Sequence, residues 1–436
     1  MSIKTQLRKA LETTGDGEAL VPYDLESFLE EELLKLQPLA ELLAVVPAGS
    51  KTHEYNIRST HPQGWFEGET TPANNKNSVY ARKSVQMKIQ RIWGSVSGFA
   101  QKVDDPFIDA LAAELEGSLE GMSNILEYGA LWGAADDIGF TGDAYQYSGI
   151  IPRLFSLAPG NVIDAAGGVV ALDHLDQAIA KAAGFRGVRN DPKLWFMGIR
   201  MKQIVDGLQT RVQIPLTSIA LADGKIEMDA YGRIGILETD YLVPEAETSS
   251  PEATAAAADG GSLDDADYAY RIASVTVYGE QVAGVEDTAT TETTNNTVDL
   301  SWTADPAAVL YMIFREVDAS GTFSLLDIIP ALTYDAAGTV NGDVETYSDD
   351  GSLTPKAIKP LEEDEQNILL ANINPGRGAA ILGMIDDMGR PVDRLFSFVE
   401  LARVKDTFDY MLKGYLSLRL KHPNLVAMVR HVKLSE

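Results

Sequence analysis

Apolar positions along this chain change their period several times, and each change marks a different element. In residues 22–46, PYDLESFLEEELLKLQPLAELLAVV, Leu25, Phe28, Leu29, Leu33 and Leu36 recur at helical spacing until Pro38 interrupts them. This predicts an amphipathic N-terminal arm, too short and broken for a coiled coil, whose apolar stripe must dock on something. Residues 52–58 and about 79–93 read as strands. Val85, Met87 and Ile89 alternate with Gln86, Lys88 and Gln90, the period of two of a half-exposed strand. Between them lies HPQGWFEGETTPANNKNS, a run of turn formers with the pair Trp65–Phe66, far longer than an ordinary hairpin turn.

Asp105-Pro106 then opens the clearest helix: Asp105 can cap free N–H groups and Pro106 suits the first helical position. Ile108, Leu111, Leu115, Leu119, Met122 and Leu126 form one continuous face, and Gly133 offers a stop. At about 1.5 Å per residue the helix spans roughly 40 Å, a beam suited to a flat subunit. Residues 169–184 predict a second helix, Trp195–Met197 a short buried strand, and 199–208 a third helix, with strand-like pieces following to Pro244. ETSSPEATAAAADGGS reads as a linker. YAYRIASVTVYGE, TVDLSWTA and VLYMIFREV, parted by Gly, Asn and Asp turns, predict a small all-β sandwich of about 85–90 residues. The first of these pieces resembles the tyrosine-bearing strand of fibronectin type III or immunoglobulin-like domains. After LEEDEQ, α/β character resumes at Asn367. Leu412, Gly414, Leu416, Leu418 and Leu420 then alternate with polar positions, His422-Pro423-Asn424 turns, and LVAMVRHVKL is expected back as the partner strand of a terminal hairpin. The sandwich thus interrupts a body whose two halves flank it.

Charge sharpens this division. The formal net charge is -28, yet residues 245–355 alone hold 21 acidic and two basic residues, Arg271 and Arg315. Such a block repels phosphate and keeps a surface hydrated. Residues 51–102 are the opposite, with eight Lys/Arg against three Glu. The chain has no cysteine, which excludes disulfides, thiolate metal sites and cysteine nucleophiles, and its five histidines form no close ligand pair. No dinucleotide, phosphate-loop or serine-nucleophile motif occurs, so no enzyme and no cofactor are expected. Acid pairs such as Asp136-Asp137 and Asp386-Asp387 read as solvated turns, although two glycosidase carboxylates would leave no spacing rule. Base stacking on Trp65 and Phe66 would suit single-stranded nucleic acid, but the acidic insert opposes it. No apolar run is long enough for a membrane span, and the first residues carry no secretory pattern, so synthesis in the cytoplasm is the expectation.

The order of these parts resembles the major capsid proteins of tailed bacteriophages, the Hong Kong 97-type fold shared with encapsulins. The phrases that carry the likeness are THEYNIRSTHPQGWFEGE, SVSGFAQKVDDPF, ILEYGALWG and VELARVKDTFDYMLKGYLSLRLKHPNLVAMVRHVKL, and it covers about residues 20–244 and 365–436. It implies an α+β fold with an N-terminal arm (1–50), an extended β-loop (51–103), a peripheral domain with the spine helix (104–160) and an axial domain (161–247). The inserted sandwich (248–360) and a return with the terminal hairpin (361–436) complete it. It also implies Arg58, Trp65, Phe66, Arg82 and Lys83 as loop contacts to neighbouring subunits, residue types that suit interface anchors except for the lysine. Phe28, Leu29 and Leu36 would dock the N-terminal arm. The implied partners are further copies in pentamers and hexamers, a separate scaffolding protein, a portal, head-decoration proteins and, weakly, packaged DNA in the virion. An encapsulin-like compartment, a tail protein or a surface adhesin are the other structural readings. Lys76 lies among Asn74, Asn75 and Asn77, but no motif supports a crosslink there. The insert is expected as an outward decoration whose deletion, at about 248–360, leaves assembly intact.

Overall fold

The structure is a computed structural model that describes residues 38–62, 64, 66, 69, 77–97, 110–182, 191–211, 217–220, 227–245, 250–292, 294–331, 344–384, 390–392, 395–401 and 407–434. Phe28, Leu29, Leu36, Trp65 and the Asp105-Pro106 helix start lie outside these residues. The first half comprises α1 (Pro38–Leu42), β1 (Val45–Pro47), β2 (Thr52–Thr60), β3 (Val79–Gln86), β4 (Lys88–Ser97) and the long helix α2 (Ala110–Leu131). It continues with α3 (Ile150–Leu157), β5 (Val162–Asp164), α4 (Leu172–Ala182), β6 (Lys193–Met197), α5 (Ile199–Arg211), β7 (Thr217–Ala220), β8 (Glu227–Tyr231) and β9 (Ile234–Glu238). The acidic stretch forms β10 (Thr254–Ala258), β11 (Asp267–Thr276), β12 (Gly279–Glu280), β13 (Asp287–Thr290), β14 (Thr297–Thr303), β15 (Ala308–Val317), β16 (Ser324–Pro330) and β17 (Val344–Asp349). The chain returns as β18 (Glu365–Asn372), β19 (Ala379–Met384), β20 (Arg390–Val392), β21 (Phe396–Glu400), β22 (Thr407–Leu420) and β23 (Ala427–Lys433).

Two sheets of the body draw strands from both sides of the insert. One runs β5-β23-β18-β6-β9-β8-β7; the other runs β1-β19-β22-β21-β20, with β4 also on β22. The 22 residues of α2 span about 33 Å. Its expected face holds: Met122 and Leu126 are buried, and Leu111, Leu115 and Leu119 pack on the same cluster. Buried Glu127 anchors α1 by accepting the Leu39 amide at 3.2 Å.

Two expectations about strands need correction. The single strand over 79–93 is two, because the chain changes partner at Met87. β3 pairs with β2, β4 pairs with β22, and the Met87 amide donates to Lys51 O at 2.8 Å. The terminal hairpin is likewise absent. β22 pairs with β4, β19 and β21, whereas β23 pairs with β18 and β5, so the turn at Pro423–Leu425 passes the chain from one sheet to the other. Alternation identifies a strand and its buried face, but it does not name a partner.

The insert is built of two sheets. Its strands form a three-stranded sheet, β10-β14-β17, and a second sheet, β12-β11-β15-β16, with β13 on β11. Between them lie Tyr270, Ile272, Leu300, Trp302, Tyr311 and Ile313. The far face of the second sheet is not free: Ala273, Val275, Leu310, Met312, Phe314, Leu325 and Ile328 join the cluster of Trp132, Phe155, Tyr241 and Leu242 in the body. A piece expected as an outward decoration therefore also contributes to the largest cluster of buried apolar residues described.

Candidate inter-subunit surfaces

The basic loop is a ribbon of two strands forming a sheet of their own, from the pair Thr52–Gln86 to the pair Thr60–Val79. Residues directly opposite share a face. His53, Tyr55 and Ile57 therefore lie with Val85, Lys83 and Ala81, while Glu54, Asn56 and Arg58 lie with Ser84, Arg82 and Tyr80. Among the described residues, only the base is tied down. Val85, Met87, Ala48 and Leu382 form a small cluster with Val46 and Tyr55 against it. Arg419 Nη1 stands 3.3 Å from His53 Nε2, and Arg419 Nη2 donates to Pro375 O at 2.6 Å. Burial, then the charges of Arg419 and Lys421, hold the His53 imidazole below its ordinary range.

Beyond the base the ribbon is open. Arg58 donates to Tyr80 Oη at 3.1 Å and lies 5.3 Å from its ring centroid; Arg82 pairs with Glu54 at 3.2 Å in full view of solvent. Val79 and Tyr80 are exposed, and Phe66 at the tip is 98 % exposed. The structure thus brings Arg58 and Arg82 to one face, puts Lys83 on the other beside Tyr55, and leaves Phe66 without cover. A two-stranded ribbon with both faces wet is marginal on its own.

A second surface went unread in the sequence. On β4, Ile89 and Trp93 are 62 % and 65 % exposed, facing Tyr415 and Met411 of β22 across the sheet. Arg91 lies 5.2 Å from the Trp93 ring, and Lys413 Nζ lies 5.4 Å from the Tyr415 ring. The opposite side of β4 carries α2, with Gln90 donating to Met122 O at 2.6 Å. The alternation of β4 was legible as that of a half-exposed strand, and the face that carries Ile89 and Trp93 is the exposed one.

The apolar seam between insert and body also holds buried polar pairs. Arg430 and Glu280, both fully buried, form two bonds of 2.8 and 2.7 Å, and the guanidinium also donates to Lys359 O and lies 5.1 Å from the Phe155 ring. Gly279 adopts φ 121° where a Cβ would strike Tyr241 O, which already accepts Trp132 Nε1 at 2.8 Å. Buried Asp327 accepts from the Thr141 amide and the Ile328 amide, each at 2.8 Å, and from the Thr141 hydroxyl. Burial raises its carboxyl above the usual range despite these bonds. Burial would also raise Asp164, but hydrogen bonds from Lys359, His431 and the Ala166 amide outweigh it and hold that carboxyl at about 2.

Among the described residues, no three His, Asp or Glu side chains are grouped to hold a metal, and no helix is long and apolar enough to cross a membrane. No family model and no curated protein matches the chain. Solved structures do. The holo-SrpI encapsulin complex of Synechococcus elongatus PCC 7942 aligns at TM-score 0.53 and 11 % identity, over 96 % of this chain and 95 % of that one. The capsid of a native GTA particle aligns at TM-score 0.50 and 9 % identity, over 97 % and 99 %. A structure from Mycobacterium phage Ogopogo aligns at TM-score 0.46 and 10 % identity, over 96 % and 99 %. From the first two alignments and the mixed sheets around one long helix, the chain has the α+β Hong Kong 97-type fold.

Proposed function

We propose that this chain is a self-assembling shell subunit, the major capsid protein of a tailed bacteriophage. It assembles as pentamers and hexamers into an icosahedral container for double-stranded DNA. The observation that carries this reading is the β2–β3 ribbon, covered by the described residues only at its base and followed by a Phe66 that is 98 % exposed. Its stability calls for another chain, and a second copy is the partner that a shell supplies. Contacts of this kind are heterologous, so closed symmetry is needed to stop open growth, and each contact can be weak because many act together. The fold likeness to an encapsulin and a GTA capsid supports the same reading.

The acidic insert faces outward in this reading, since packaged phosphate would repel it. Scaffolding, portal and decoration proteins are separate chains; DNA is touched weakly and without sequence preference, and no cofactor takes part. An encapsulin-like compartment is the second reading, because an encapsulin complex shares the fold at TM-score 0.53. Negative-stain microscopy of the protein, expressed with and without its neighbouring genes, tests both. Closed polyhedral particles or rings of five and six support a shell. Nuclease-protected double-stranded DNA inside selects the phage reading, and a protein cargo selects the compartment. A monodisperse monomer under all conditions overturns both.

A further inference from the structure

Where the insert meets the body, a cavity of about 230 Å³ opens beside the turn between β15 and β16. The loop after β5 lends it Asp164 and Gly167, the insert turn lends Phe323, and the segment returning to β18 lends Lys359 and Glu362. Most charges around it are matched. Asp164 is held by Lys359 at 2.7 Å and by His431 Nδ1 at 2.8 Å. Glu362 is clasped by Arg271, whose guanidinium also lies 5.6 Å from the Phe323 ring. Glu365 is the exception. It is 4 % exposed, its Oε2 accepts the Glu362 amide at 3.0 Å, and its Oε1 takes no hydrogen bond among the described residues. Lys433 stands opposite it in the strand register, yet among the described residues Glu365 forms no ion pair. Gly167 keeps Oε1 within reach of the cavity: at φ 71° it carries no Cβ, and one there would lie 3.1 Å from that oxygen. A buried carboxylate without a counter-charge is costly, and a cation brought to it offsets part of that cost.

We propose that this cavity binds a small primary alkylammonium ion, its N–H groups on Glu365 Oε1 and its carbon stem against Phe323 and Pro360. An alkylammonium places donors on a compact charge, as the end of a lysine does, and the aromatic and proline walls suit its stem. A divalent metal fits poorly. Such ions take roughly six to eight oxygens, whereas Glu365 offers one free oxygen and no three His, Asp or Glu side chains among the described residues gather around an ion. An anion is repelled by Glu365 itself. The cavity is smaller than the roughly 300–1,000 Å³ of sites for drug-sized ligands, so a stem of a few carbons is the right scale. Every wall belongs to one chain, and the site therefore stands apart from the shell reading.

Butylamine hydrochloride is the probe, read by saturation-transfer NMR on the full chain. Transfer should saturate with concentration. Tetramethylammonium, with the charge but no donor, and n-butanol, with the stem but no charge, should each bind about tenfold more weakly. Glu365→Gln keeps the size of the side chain and an oxygen for the Glu362 amide, and should weaken butylamine about tenfold or more, the loss of a charged hydrogen bond. Equal signals from butylamine and n-butanol, or from the unsubstituted chain and Glu365→Gln, overturn the site. Displacement of butylamine by an equal concentration of Mg²⁺ overturns the choice of ligand. A butylamine signal that emerges only in Lys433→Gln shows the chain's own lysine filling the place, and overturns the proposal as well. The three ligands are compared on the unsubstituted chain, so a Glu365→Gln protein that fails to fold leaves the test decisive.

Discussion

Replacing Glu280 with alanine should destabilise the whole body, although Glu280 belongs to the insert. Its carboxylate and the Arg430 guanidinium are both fully buried and joined by two short bonds, and Arg430 sits on the body strand β23. Once Glu280 is gone, Arg430 retains Lys359 O and the Phe155 ring as neighbours but loses its counter-charge. Stripping one partner from a buried pair costs about 3–5 kcal/mol. A body with roughly 5–15 kcal/mol of stability would then lose a large share of it. The pair itself is worth far less than this, because desolvation offsets most of the attraction, so Glu280→Ala with Arg430→Met should recover most of the loss. Urea unfolding followed by tryptophan fluorescence measures both, since Trp132 lies at the same seam. Coupling between the two sites should appear as strong non-additivity. A single-variant loss below about 1 kcal/mol, or two losses that simply add, would refute the claim that the insert is fastened into the core.

Three further outcomes follow from the same geometry. Asp327→Asn should be nearly neutral, since burial already disfavours the charge, whereas Asp327→Ala strands the Thr141 and Ile328 amides and should cost about 1–3 kcal/mol in urea melts. Asp164 has a carboxyl at about 2 against an ordinary 3.8, so its contribution to stability is complete above that ordinary value and disappears as pH falls through 2. Melting temperature measured between pH 5 and pH 2 should show this slope, and Asp164→Asn should flatten it; an unchanged slope counts against the assignment. Phe66→Ser should leave the unfolding midpoint unchanged, the side chain being 98 % exposed, while raising the concentration needed for particles in light scattering. Equal assembly of the two proteins would remove Phe66 from the interface.

Periodicity made much of this fold legible. The stripe of α2, the strand around Trp195–Met197 and the strands β11, β14 and β15 of the insert were readable, whereas β10 (Thr254–Ala258) lies in the stretch read as a linker. The remainder was hidden for identifiable reasons. β15 carries Val309, Leu310, Tyr311, Met312, Ile313 and Phe314 without a polar break. A strand reads that way when both its faces are covered, and that run was the available sign that the insert packs on the body. β22 is buried on both faces from Leu416 to Leu420 too, but there Ser417 and Arg419 keep the alternation of a half-exposed strand, so its sequence did not show it. The candidate contacts were half-legible. Composition marked the ribbon, but not that Lys83 would face away from Arg58 and Arg82. The exposed face of β4 went unmarked because Ile89 and Trp93 look in sequence like core residues.

An insert fixed in this way changes what it can contribute to a shell. Its entry and exit are stitched to one place: the Glu245 amide donates to Gln281, the Ala283 amide to Leu361 O, and the Asn367 amide to Leu242 O. From there the second insert sheet reaches the loop after α2 through Asp327 and Thr141, and the strand β23 through Glu280 and Arg430. The helix-bearing part and the seven-stranded sheet are therefore both held by one sheet between them. Assembly through many weak contacts requires each subunit to present its arms at fixed angles, because any slack within the subunit is subtracted from every contact at once. In the proposed shell the insert supplies that stiffness from the outer side, and its acidic surface is the solvated back of a structural brace.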